Sequence, residues 1–154
     1  MKSLVKSTLR SIMFFSLLLI LGCGDDNGPG QSIEDVQLGK LSKAWNVTNV
    51  ELNNVVQTGY DNFVLTLTGS AGSASFGYST AGRPQLSPWP SSGNWVFGAS
   101  PETQIIRDQG TQDELAITYS VTDTQLQLTF DFTGTGFAGK TSNVGGQWVF
   151  TFAP

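Results

Sequence analysis

Strict alternation of apolar and polar residues over several short segments is the strongest constraint this chain places on its fold. In Gln125–Phe132, Leu126, Leu128, Phe130 and Phe132 alternate with Gln125, Gln127, Thr129 and Asp131. Glu114–Val121 repeats the pattern, with Leu115, Ile117, Tyr119 and Val121 on one side and Ala116, Thr118 and Ser120 on the other. A period of two puts one set of side chains in a core and the other in water, which is an antiparallel strand with one wet face.

Six further segments fit the same template: Ala44–Leu52 with Trp45 and Val47 in phase, Asn62–Thr68, Ser73–Ser79, Asn94–Gly98, the short Thr103–Arg107, and Gln147–Phe152 with Trp148, Phe150 and Phe152 in phase. Most connections are short, as at Val121-Thr122-Asp123-Thr124, so neighbours in sequence pair as hairpins. The expectation is an all-β domain, a single antiparallel up-and-down barrel of about eight strands. The alternative is a β-sandwich. Arg107-Asp108 reads as a strand end entering a turn.

Two segments depart from the strand period. Ser32 followed by Asp35 marks a helix start, and Ile33, Val36 and Leu41 lie near one face of a short helix. Thr80–Gly93 carries Pro84, Pro88 and Pro90 around Trp89, and proline cannot donate to a ladder, so this is a long loop. A local echo links Gly93-Asn94-Trp95-Val96-Phe97 with Gly146-Gln147-Trp148-Val149-Phe150, and more weakly with Lys43-Ala44-Trp45-Asn46-Val47. It reads as equivalent strands that each place an indole at their buried start.

The N-terminus follows different physics. Lys2, Lys6 and Arg10 precede a run, Ile12–Leu21, that is apolar except for Ser16, and Gly22-Cys23-Gly24 follows. A basic stretch, a short apolar core and a small-residue exit form a secretory signal peptide over residues 1–22. The core is too short for a permanent span, which needs about 20 apolar residues. Residues 23–31 read as a flexible acidic tether, and residues 32–154 as the β domain. The three basic residues leave with the signal, so the mature chain carries five basic against twelve acidic residues, a formal charge of −7. That balance speaks against nucleic acid as a partner.

The chain has no His, and Cys23 is its one cysteine. Metal sites built on imidazole or thiolate in the domain are excluded, as are Ser-His-Asp and Cys-His catalysis. No disulfide is available either. Glu51, Asp61, Glu102 and Asp131 are the carboxylates from which a hydrolase would have to draw a pair, but their spacing selects no two of them. The expectation is a non-enzymatic protein without cofactors or metals.

Ile20-Leu21-Gly22-Cys23 resembles a lipobox. The resemblance implies cleavage after Gly22, a diacylglycerol thioether on Cys23 and acylation of the new amine by a palmitate-type chain. Each buried CH₂ adds roughly 0.8 kcal/mol of anchoring. Asp25-Asp26 just beyond is similar to the acidic export signal of surface lipoproteins in Bacteroidota, which implies the outer membrane, at its periplasmic face or the cell surface. From Leu38 to Phe152 the order of helix, Trp45 strand, Pro-Trp-Pro, Ser-Gly-Asn-Trp and a closing Gly-Gln-Trp-Val-Phe-Thr-Phe resembles the lipocalin-like lipoproteins of Bacteroidota, a group of mostly unassigned function. Lys43-Ala44-Trp45 stands where true lipocalins carry Gly-x-Trp.

Trp89 and Arg83 are the candidate ligand-binding residues. An aromatic on a proline-stiffened loop can stack on a glycan or a small apolar molecule at a barrel mouth, and Arg83 can meet an anionic group. The alternative for Trp89 is a plug over the mouth. The expected function is a lipid-anchored envelope binding module, with a structural lipoprotein that docks on other envelope proteins as the alternative.

Overall fold

The computed structural model describes residues 30–134, 136 and 144–154. The signal segment 1–22, Cys23 and the tether through residue 29 lie outside the described residues. Among the described residues, nine strands form one antiparallel sheet: β1 (Ala44–Leu52), β2 (Val55–Val56), β3 (Val64–Thr68), β4 (Phe76–Ala81), β5 (Ser92–Phe97), β6 (Gln104–Arg107), β7 (Leu115–Val121), β8 (Leu126–Phe132) and β9 (Gly146–Ala153). From β3 onward each strand pairs with its successor. The sheet closes where β9 returns to β1, from Asn46 opposite Ala153 to Leu52 opposite Trp148. The result is a closed eight-stranded, lipocalin-like barrel, with β2 as a short arm on β1. Closure rules out the sandwich.

The alternation read from the sequence sorts the side chains as expected. Leu65 and Leu67, Phe76 and Tyr78, Trp95, Ile105, Ile117 and Tyr119, Leu126, Leu128 and Phe130, and Trp148, Phe150 and Phe152 all point inward and are buried. The outer face carries Thr118, Ser120, Gln127, Thr129, Asp131 and Thr151, none of them buried.

Strand β1 breaks its own alternation. Trp45 is buried, Val47 is only half-buried, and the next buried residue is Val50. The register against β9 shifts between Val47 and Asn49, and the Thr48 hydroxyl donates to the Thr151 carbonyl at 3.1 Å. One inserted residue moves the inward phase by one position. The bulge lets Trp45 at one end and Val50 at the other both reach the core.

Helix α1 spans Ile33–Leu41, and the Ser32 hydroxyl accepts from the Asp35 backbone N–H at 3.0 Å, as the cap pattern implies. Its buried face differs from the expected one. Leu38 and Leu41 are buried, whereas Ile33 and Val36 are exposed. Only the last turn meets the barrel. There the Trp45 indole N–H donates to the Leu41 carbonyl at 2.9 Å, and Leu38 fills the space beside Gly69. A Cβ on Gly69 would stand 2.5 Å from Leu38 Cδ1 and 2.6 Å from Phe76 Cδ1, so a larger residue here would push both side chains aside.

The echoed tryptophans are equivalent in the way the sequence implies. Trp45, Trp95 and Trp148 are all buried. Trp148 repeats the Trp45 device, since its indole donates to the carbonyl four residues back, Val144, at 2.9 Å. Trp95 instead donates across the sheet to Gly77. Each bond satisfies an indole donor, and those of Trp45 and Trp148 tie an incoming segment to the strand that follows.

Candidate functional site

The antiparallel order puts α1 and the turns after β3, β5 and β7 at one end of the barrel. The longer connections after β1, β4, β6 and β8 gather at the other, here called the open-loop end. The candidate residues from the sequence lie at this second end. The Pro-rich loop, residues 82–91, turns inward there. Trp89 is 1% exposed and packs edge-on against Tyr78 (5.7 Å), Phe130 (5.8 Å) and Phe150 (6.2 Å). The expectation of an exposed stacking platform is therefore corrected: the indole is a plug inside the barrel. A polar loop with one large aromatic lowers its free energy by burying that ring in the apolar mouth.

Arg83 is half-buried at the start of the loop. Its Nη1 donates to the Trp89 carbonyl at 2.7 Å, bracing the loop across its own width. Ser87 Oγ accepts from the Trp89 backbone N–H, and Thr80 holds the loop's return by donating to the Pro90 carbonyl at 2.7 Å. The loop is thus fixed as a unit before it meets the barrel wall.

The residue that receives it is Arg107, at the inward end of β6 and 1% exposed. Its guanidinium lies 5.3 Å from the centroid of the Trp89 ring. Nη1 donates to the Pro88 carbonyl at 2.8 Å, Nη2 to the Asp113 carbonyl at 3.3 Å, and Nε stands 3.5 Å from Asp108 Oδ2. Asp108 also accepts from the Tyr78 hydroxyl at 2.7 Å and from the Asn94 N–H at 2.9 Å. Burial pushes the Arg107 guanidinium below its ordinary value, and the charges of Tyr78, Asp108 and Asp113 work against that shift. An arginine still keeps its proton at neutral pH. Gly93, the glycine of the second echo, makes room: a Cβ there would stand 2.1 Å from Asp108 Oδ1. Reading Arg107-Asp108 as a strand end holds, since Asp108 has φ of 50° and accepts from Thr111 in a turn. Its position in phase with buried Ile105 is the signal that the side chain points inward.

The interior thus contains Trp45, Trp89, Trp95, Trp148, Phe63, Phe150 and Phe152, all nearly inaccessible to solvent. All three tyrosines of the chain belong to this core. Tyr60 is pushed up to about 12 by burial, opposed by a hydrogen bond with Ser87. Tyr78 is raised by burial and by its bond to Asp108, and Tyr119 by burial and by the charge of Glu102. These phenols are neutral in the folded barrel, and in the unfolded chain they titrate near 10. Raised folded values mean that their stabilisation is whole below pH 10 and is lost as the pH climbs through and beyond 12. An alkaline titration followed at the tyrosinate band is expected to stay flat through pH 10. Absorbance should then rise together with unfolding measured by circular dichroism. Two or more tyrosines ionising near pH 10 in a folded barrel would contradict the packing described.

The four carboxylates singled out from the sequence lie on four separate elements. Glu51 is on β1, where it accepts from Asn49 Nδ2, Asp61 is in the loop before β3, Glu102 is in the turn before β6, and Asp131 is on the outer face of β8. Among the described residues no group of three His, Cys, Asp or Glu side chains is placed to hold a metal.

Open space is found at the open-loop end, beside the β1–β2 hairpin and at the barrel mouth. One groove of about 340 Å³ is lined by Val47, Val50, Val56, Gln57, Tyr60 and Asp61 among others. A second, of about 570 Å³, includes Leu52, Tyr60, Pro84, Leu86, Val144 and Trp148. The two share Gln57, Thr58 and Tyr60. The hairpin escapes the sequence pattern because β2 has only two residues, too few to show a period. Its signal is Asn53-Asn54 between apolar residues, since asparagine accepts the left-handed conformation a two-residue turn needs. No family model, curated protein or solved structure matches this chain.

Proposed function

We propose that this chain is a lipid-anchored envelope lipoprotein of the outer membrane that acts by docking on other envelope proteins through its outer surface, without catalysis. One observation carries the docking half: the barrel interior is occupied by the protein's own aromatic side chains, with Trp89 where a carried ligand would lie. The anchor half rests on the lipobox resemblance at Cys23. A second reading keeps a small apolar molecule or a glycan as the partner, bound in the grooves of the open-loop end. Its support is the pair of grooves beside the hairpin, whose sizes lie near those of small-molecule sites.

Anchor and partner are tested separately. The full chain is expected to enter the detergent phase on phase partitioning and to incorporate a labelled palmitate analogue. Cys23→Ser should abolish both while leaving the β-sheet circular dichroism unchanged. An unaltered partition of Cys23→Ser would remove the anchor. Native mass spectrometry of protein purified from its producing cells should then give the mass of the bare lipidated chain. A stoichiometric small molecule retained in that spectrum would favour the second reading.

A further inference from the structure

The hairpin beside the two grooves has an unusual combination of rigidity and exposure. Leu52 opposes Val55 and Glu51 opposes Val56, so the connection is the two residues Asn53 and Asn54, with φ of 51° and 63°. Both asparagines thus adopt the left-handed backbone of a tight hairpin turn. Asn53 is locked to the start of β9, its N–H donating to the Gln147 carbonyl at 2.8 Å and its Oδ1 accepting from the Gln147 N–H at 2.9 Å. Gly146 must be glycine for this to happen, because a Cβ there would stand 2.6 Å from Asn53 Nδ2. The arm is therefore held in place.

Its two valines nevertheless face water. Val55 is 62% exposed and Val56 63%, and adjacent strand residues point to opposite faces. Each face of β2 thus presents one uncovered valine. β2 pairs with β1 alone, so its second edge is open as well. A strand edge with exposed apolar side chains is a template for another chain. Among the described residues the charges nearby have one sign. Glu51 stands across from Val56, Asp61 lines the groove that Val56 borders, and no described Lys or Arg lines either groove. Arg107 of this end is buried, and Arg83 donates to the Trp89 carbonyl of its own loop. The whole patch lies at the end of β1 opposite to α1, away from where the chain enters the domain.

We infer that the β1–β2 arm, with the grooves beside it, is the docking surface for an extended segment of another envelope protein, apolar at its contact residues and flanked by Lys or Arg. The apolar residues cover Val55 and Val56, the open edge of β2 supplies main-chain hydrogen bonds, and the basic flanks meet Glu51 and Asp61. This inference rests on the docking reading above and assigns it a site and a partner chemistry.

The test places a photocrosslinking residue at Val55, at Val56, and at Thr118 on the outer wall of β7 in the full-length chain, in the cells that make it. Crosslinked peptides are then mapped by mass spectrometry. At least tenfold more product is expected at positions 55 and 56 than at 118, joined to one segment of a different protein that carries apolar residues flanked by Lys or Arg. With a chemical crosslinker, V55S/V56S should lower that product at least tenfold, and its melting temperature should match the parent because both valines are exposed. Crosslinks at 118 but not at 55 or 56 would overturn the site while leaving docking intact. Crosslinks from 55 or 56 to an acidic segment, to a lipid or to a second copy of this chain would overturn the partner chemistry. No protein crosslinked at any of the three positions would remove the docking reading itself.

Discussion

Trp89→Ala is expected to lower the stability of the domain by about 3–5 kcal/mol, the usual cost of removing a large aromatic from a packed core. The indole touches Tyr78, Phe130 and Phe150, and its face meets the Arg107 guanidinium. Alanine leaves a cavity lined by those rings and exposes a buried cation to it. At this domain size each kcal/mol corresponds to roughly 4 °C in melting temperature, so the transition should fall by about 15 °C. Trp89→Phe keeps a ring in the same place and should lose less than half as much. A surface aromatic would respond quite differently, since substitutions away from packed features usually stay within about 0.5 kcal/mol. Equilibrium unfolding in urea separates the two. A Trp89→Ala variant as stable as the parent would mean that the loop does not plug the barrel in solution.

The same residue marks the limit of what the sequence discloses. Eight strands are legible because each alternates long enough to state a phase, and short turns between them dictate hairpin order. The barrel follows once β9 finds β1, and the aromatic phase of Trp148, Phe150 and Phe152 is consistent with that closure. Loops carry no period. Pro-Trp-Pro says that residues 88–90 are not in a ladder, and says nothing about which way the indole turns. The helix errs for a related reason. Ile33, Val36 and Leu41 share a face on paper, but only the last turn reaches the barrel, so Leu38 and Leu41 decide the contact. The β1 bulge is equally silent, because Thr48 looks like any outward threonine until the register with β9 is known.

Cys23 and the hairpin stand at the two extremes of legibility. The anchor proposed at Cys23 rests on local sequence alone and draws on nothing in the fold. The hairpin is a matter of exposure, which no local pattern states: Val55 and Val56 would read as core residues in most β proteins. Only closure of the barrel without them leaves them outside.

Arg107 gives the second large effect and the sharper test of the plug. Arg107→Ala removes one partner of a buried ion pair and strands the Pro88 and Asp113 carbonyls without their donor. Breaking such a pair from one side costs about 3–5 kcal/mol. Arg107→Met keeps most of the side-chain volume over Trp89 and drops the charge. Asp108 retains the Tyr78 hydroxyl and the Asn94 N–H, and its side chain is 13% exposed, so water can still reach it. Arg107→Met should therefore cost only about half as much, following the rule that a buried pair is often replaced by apolar volume at little loss. Adding Asp108→Asn to Arg107→Met should recover part of the remainder, since the amide no longer needs a countercharge. The order expected from urea unfolding is parent, Arg107→Met/Asp108→Asn, Arg107→Met, Arg107→Ala, from most to least stable. Raising the salt concentration should leave that order intact, because a largely buried pair is screened weakly. If Arg107→Ala and Arg107→Met proved equally and only slightly destabilised, the guanidinium would not be holding the loop, and Trp89 would have to be retained by ring packing alone.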